Sequence, residues 1–197
     1  GLGLGVVCAL GEGSPMDHLI RGVAAAIQSA PGFLVALMLI YVVSFRLAWL
    51  PLYGIGGGPG LVLPVLTLSG LTALPLGRLA RNALLEAAHK EYFLGALAKG
   101  MSYRRAMLWH ALPNAVTPLV TWLGMRFAGL LGGIVLMESV FSLPGMGSYM
   151  VEAVLSRDYP VIQGYMLFFA VVVAAANLTA DLLVQWIDPR AARERIF

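Results

Sequence analysis

The stretch RLARNALLEAAHKEYFLGALAKGMSYRRAMLWHALPN, residues 78–114, decides how this chain is read. It carries six cations, Arg78, Arg81, Lys90, Lys99, Arg104 and Arg105, between apolar runs at about 61–77 and 115–137. The chain as a whole is 59% hydrophobic and only 12% charged, with a mean hydropathy of +0.84. That is too apolar for an ordinary soluble domain, so the charged island reads as a polar loop between bilayer spans. Within it, Arg81 to Lys99 has helix-forming composition and stops at Gly100, a residue that tolerates positive φ. Ser102 is placed to cap a second helix from Tyr103 to Leu112, which Pro113 is expected to end. The expectation is a helix, a sharp turn and another helix projecting from the membrane. Small Gly95 and Ala96, one turn before Gly100, leave a face that another protein can approach closely. The alternative is a loop packed only on its own domain.

Working outward, 197 residues allow about five spans of roughly 20 residues in one helical membrane domain. The apolar stretches are continuous rather than alternating, which argues against a β-barrel. Gly1 to Leu10 is apolar but too short to span, and reads as the tail of a helix whose beginning is missing. A span is expected from about Leu19 to Phe45 with a kink at Pro31-Gly32, then an aromatic and glycine-rich turn over Leu47 to Gly60 containing Trp49, Pro51 and Tyr53. The third span, about Leu61 to Gly77, is expected to be short and broken by Pro64 and Pro75. The fourth is expected at about Ala115 to Met137 and the fifth at about Val161 to Ile187. The segment from Glu138 to Pro160 is too polar to span. It reads as an external loop with a turn at Pro144-Gly145 and a short amphipathic stretch, Tyr149 to Leu155, that either lines an external gate or lies at the membrane surface.

Orientation follows from the cations. With the 78–114 loop in the cytoplasm, alternation places Arg21 and the tail cations Arg190, Arg193 and Arg195 inside as well. Ten of the thirteen Lys/Arg then lie on the cytoplasmic side, against Arg46 and Arg157 outside and Arg126 within the membrane. The net charge of +3 is accounted for by topology and needs no nucleic-acid partner.

Several runs then point to a known family: Glu91-Tyr92, Ala98-Lys99-Gly100-Met101-Ser102, Arg104-Arg105, His110-Ala111-Leu112 and Asn114-Ala115. They continue through Glu138-Ser139-Val140-Phe141-Ser142-Leu143-Pro144-Gly145-Met146-Gly147, Arg157-Asp158-Tyr159-Pro160-Val161-Ile162-Gln163-Gly164, Asn177, Asp181 and Asp188-Pro189-Arg190. In this order and spacing the chain resembles the C-terminal two-thirds of a permease subunit of the dipeptide, oligopeptide and nickel branch of binding-protein-dependent ABC importers, and of its first permease more than its second. The family motif begins Glu-Ala-Ala, whereas this chain has Leu94-Gly95-Ala96 there.

The resemblance implies an all-α, polytopic bundle of the type I importer class in the bacterial inner membrane. Its partners would be a second permease subunit, two ATP-binding subunits, an extracytoplasmic substrate-binding protein and membrane lipid. It implies that this chain is not itself an enzyme and binds no cofactor, ATP and Mg belonging to the partner ATPase subunits. Residues from Gly95 to Ser102 would form the coupling helix, with Glu91, Gly95, Ala96, Lys99, Gly100, Ser102, Arg104, Arg105, Leu112 and Pro113 as the coupling set.

Charges inside spans carry separate weight. Arg126 lies near the middle of the fourth span, where an uncompensated cation costs at least about 2.5–3.5 kcal/mol. It therefore faces inward, either toward a translocation path, with Glu138 near its outer end, where it attracts a substrate carboxylate, or toward an acid such as Asp181. Asn177 and Asp181, spaced i, i+4 on one helical face, read as polar glue between helices. Competing motifs are weak. Met101 replaces the lysine a phosphate loop requires, His18, His89 and His110 have no metal-ligand spacing, and no nucleophile motif appears. A secondary transporter, or another polytopic membrane protein without an ATPase partner, is the competing class.

Overall fold

The computed structural model describes residues 1–51 and 58–187, and every regular element among them is helical. They divide into two compact units, one built from residues 1–27, 72–124 and 180–187 and the other from 28–51, 58–71 and 125–179. Tyr53, most of the glycine cluster, and the Asp188-Pro189-Arg190 run with Arg193 and Arg195 lie outside the described residues.

The first unit contains α1 (Leu2–Leu10), most of α2 (Pro15–Ser29), the second half of α4 (Gly58–Ala88), α5 (Glu91–Ala98), α6 (Tyr103–Ala106) and the start of α7 (Leu112–Val140). Small residues set the spacing of α1 against α4. A Cβ on Gly5 would fall 2.7 Å from the Gly77 carbonyl, and one on Gly1 would fall 2.7 Å from that of Ala73. This is the small-residue packing of membrane helices, in which close backbone approach substitutes for a hydrophobic driving force. Nearer the charged loop the core is Ala9, Leu84, Ala87, Phe93, Ala106, Met107 and Ala111, with Phe93 and Met107 fully buried.

The second unit contains α3 (Gly32–Leu39), its π-helical continuation Ile40–Arg46, the first half of α4, most of α7, α8 (Met146–Ser156) and most of α9 (Tyr159–Ile187). Ala36, Leu63, Met137 and Phe141 form its core. Thr67 is buried there and donates its hydroxyl to the Leu63 carbonyl at 2.8 Å, so it brings no unpaired polar atom into the apolar interior.

Three expectations are corrected. The 19–45 segment is not one helix with a kink but two helices, α2 and α3, separated at Ala30-Pro31. Pro31 has an extended backbone with ψ of 140° and caps α3, its carbonyl accepting from Leu34 and Val35, so the helical ladder is interrupted rather than bent. The third span is neither short nor broken, because α4 runs unbroken for 31 residues through Pro64 and Pro75 to Ala88. Prolines are tolerated in apolar helices whose neighbours cover the freed backbone. The helix expected over 81–99 is consequently split at His89-Lys90. Pro113 does not end a helix either. The π-helical stretch Met107–Ala111 joins α6 to α7 in one continuous helix, and Pro113 lies within it just after the stretch, where the hydrogen-bond register changes from i→i+5 back to i→i+4. Asn114 donates its side-chain amide to the His110 carbonyl at 2.7 Å, giving that carbonyl of the π-turn a partner.

By length and composition α4 and residues 159–186 of α9 can each cross a membrane, and two further spans result if each bent helix pair is counted as one. These helices fall where the four spans after Leu10 are expected.

Candidate functional site: a cationic cleft on the charged loop

Between α5 and α6 the chain turns at Lys99-Gly100-Met101-Ser102. Gly100 has φ of 87°, a left-handed conformation that an L side chain adopts only at a cost. The Met101 N–H reaches back to the Ala96 carbonyl and the Gly100 N–H to that of Leu97, closing the end of α5. Ser102 occupies the cap position of α6 with extended backbone, without a capping hydrogen bond from its side chain.

This turn borders a cleft of about 770 Å³. Gly95, Ala96, Lys99, Gly100, Ser102 and Arg105 of the expected coupling set line it, joined by Tyr92, Met101 and His110. Glu91, Arg104, Leu112 and Pro113 do not. Glu91 stands in the first turn of α5, Arg104 is exposed on α6, Leu112 packs against the core and Pro113 is exposed at the start of α7. The floor is open where the sequence has glycine, since nothing lies within 4 Å of a Cβ built on Gly95 or on Gly100. Ala96, by contrast, is 7% exposed and turns into the core. Burial pushes the Tyr92 phenol up, so it stays a neutral hydroxyl beside the cations.

The cleft is anchored from below. Phe93 meets Tyr103 edge-to-face at 5.6 Å and holds α5 against α6. Arg81, in the last part of α4, forms a bidentate pair with Asp17, its Nε 2.9 Å from Oδ1 and its NH2 group 2.8 Å from Oδ2. The Asp17 side chain is wholly buried and also accepts the Gly13 N–H at 3.2 Å, while its own N–H is capped by Ser14. The Arg81 hydrogen bond holds the Asp17 carboxyl below the usual carboxylate range, against the opposing effect of burial. Arg21 stands 4.0 Å from the same carboxylate and Glu12 3.7 Å from Arg81. The cation pattern places Arg21 and Arg81 on one side of the membrane but carries no sign of the Asp17–Arg81 pair, whose members are 64 positions apart.

The other expected site residues lie elsewhere. Glu138 accepts the Ser148 N–H at 2.9 Å, and its carboxylate fills the space above Gly145 and Gly147. A carboxylate at a helix N-terminus is stabilising, so Glu138 caps α8. Ser148 completes the cap by accepting the Gly145 N–H at 3.0 Å. The run Arg157-Asp158-Tyr159-Pro160 has a local cause as well. Arg157 is left-handed with φ of 58° and ends α8, Asp158 accepts the Val161 N–H at the start of α9, and Pro160 takes the first turn. Arg126 is exposed on α7, and Asn177 and Asp181 are exposed on α9. Among the described residues no group of His, Cys, Asp and Glu has the arrangement of a metal site.

Comparison with known proteins places this geometry in a family. Residues 1–193 match the family described as the binding-protein-dependent transport system inner membrane component. The glutathione transport system permease protein GsiC of Escherichia coli strain K12 is 36% identical over 189 residues, and its counterparts in Shigella flexneri serotype 5b and Shigella boydii serotype 4 are equally similar. In each case 96% of this chain is covered but only 62% of the relative, so the chain spans less than two-thirds of their length. Matched over residues 1–193 and built of helices long and apolar enough to span, the chain belongs to the family of inner-membrane components of binding-protein-dependent transport systems.

Proposed function

We propose that the chain is the permease part of an ATP-driven importer that brings peptide-like solutes across the inner membrane, and that the α5–α6 turn is where it engages an ATP-binding subunit. The observation that carries this reading is the cleft beside the Gly100 turn. It stands on a packed, ion-paired base yet has an open glycine floor, which is what a docking element needs and a loop packed on its own domain does not. The glutathione permeases to which the chain is similar favour a small peptide with free carboxylates as the solute class. In this reading the chain does no chemistry of its own. ATP and Mg are held by two ATP-binding subunits, a second permease subunit completes the path, and an extracytoplasmic binding protein delivers the solute. Closure of the ATPases moves the seated turns, and the spans follow between inward-open and outward-open states, a two-state equilibrium biased by nucleotide. Arg126, in mid-span, attracts the solute carboxylate.

Gly95 gives a cleaner test than Gly100, because its φ is not positive and a Cβ built on it meets nothing within 4 Å. Gly95→Trp in the full transporter should leave the chain inserted and folded while abolishing ATP-dependent uptake. Wild-type uptake by that variant contradicts the docking role.

A further inference from the structure

We propose that the cleft beside the Gly100 turn receives a carboxylate-bearing segment of the ATP-binding subunit, an inference that rests on the docking role above and adds the chemistry of the contact. Five of the loop's six cations, all but Arg78, divide into two sets. Arg81 is neutralised by Asp17 and Lys90 lies 3.2 Å from Glu86, so both are spent within the fold. Lys99 and Arg105, which line the cleft, have no ion pair among the described residues, and Arg104 beside them has none either. His110 adds a third nitrogen-bearing side chain to the wall, and the lining contains no acid.

Cations held around a concave site with no acid among its lining focus a positive field on an incoming anion. The floor at Gly95 and Gly100 lets a backbone follow that anion in.

Membrane geometry favours a protein acid over an anionic lipid headgroup as the occupant. Residues 58–77 of α4 suffice for a hydrocarbon thickness of about 30 Å. Residues 78–88 then carry the chain about 16 Å further before α5 begins. The cleft is therefore held off the headgroup layer.

Zero-length carbodiimide coupling reads the contact directly, because it joins a lysine amine only to a carboxylate touching it. The complex is purified with its ATP-binding subunits, treated with the carbodiimide and mapped by mass spectrometry. The expected product links Lys99 to an Asp or Glu of the ATP-binding subunit. It should disappear in Lys99→Arg, which keeps the charge but removes the amine. The doubly neutralised Lys99→Gln/Arg105→Gln chain should retain the ATP-binding subunit about tenfold less well, as expected for loss of close interfacial charge pairs. The proposal is overturned if the ATP-binding subunit copurifies but Lys99 couples only within its own chain. Retention unchanged by the double substitution, or set only by the anionic lipid content of the preparation, overturns it as well. Failure of any ATP-binding subunit to copurify with the wild-type chain would instead remove the docking role itself.

Discussion

Replacing Arg81 with alanine strands the Asp17 carboxylate. The Asp17 side chain is wholly buried and that of Arg81 is only 12% exposed, so solvent does little to screen the pair. Removing one partner of a buried pair typically destabilises by about 3–5 kcal/mol, most of it the penalty of an uncompensated buried charge. Here the Gly13 N–H at 3.2 Å and Arg21 at 4.0 Å remain, which places the expectation near the lower bound, about 3 kcal/mol, or roughly two decades in the folding equilibrium. The loss should depend on pH with a defined sign. Asp17 has a lowered folded-state pKa, so its contribution is fully present above the ordinary carboxylate pKa of about 3.9 and disappears as pH falls through the lower folded value. The gap between wild type and Arg81→Ala should accordingly be widest at neutral pH and narrow in acid. A thermodynamic cycle isolates the pair. In an Asp17→Asn background no charge is stranded, and Arg81→Ala should cost about 1 kcal/mol or less. Equilibrium unfolding in mixed micelles, followed at several pH values, measures all four corners. A change within about 0.5 kcal/mol for Arg81→Ala, the usual range of a surface substitution, would refute the assignment of Asp17–Arg81 as the anchor of the loop.

Other predictions follow from single contacts. Phe93→Ala removes a fully buried ring from the core beneath the cleft and should cost about 3–5 kcal/mol in the same unfolding measurement. Gly147→Leu pushes a side chain into the Val135 backbone, 2.7 Å from the would-be Cβ, and should destabilise the α7–α8 corner by about 1–3 kcal/mol, seen as faster amide exchange in α8. Glu138→Gln keeps the volume but removes the anionic cap, so the same exchange should rise modestly, by less than about 1 kcal/mol equivalent. Arg126→Gln should slow uptake of an anionic peptide more than that of a neutral one, and equal rates for both would dissociate Arg126 from the solute path.

Much of this architecture was legible in the sequence because its signals are local. Continuous apolar runs located the spans, and Gly100 marked the turn through its demand for positive φ, which the structure places at 87°. The loop's elements were misjudged where a rule for soluble helices was applied to a membrane chain. Pro64, Pro75 and Pro113 were given the power to break helices, yet α4 runs through the first two, and the π-turn before the third shifts the hydrogen-bond register ahead of it. Pro31 interrupted the helix rather than kinking it, because its carbonyl became the cap of the next one. Two features were beyond local reading. The Asp17–Arg81 pair joins positions that only the packing of α2 on α4 brings together. Ala96 and Leu112, grouped with the docking residues by position, are turned toward the core by the helical phase of α5 and α7. Among the residues of the cleft wall, Tyr92 and His110 belong to runs already visible as family markers, but only the structure shows that they share a surface with Lys99 and Arg105.

The central claim is that the α5–α6 turn faces the cytoplasm and is covered by an ATP-binding subunit. A single cysteine at position 104, in a chain with Cys8→Ala, tests both halves with a membrane-impermeant maleimide. The account predicts labelling in inverted vesicles but not in sealed right-side-out ones, and a labelling rate that falls several-fold when the ATP-binding subunit is bound. Labelling from the outer face, or a rate indifferent to that subunit, would contradict it.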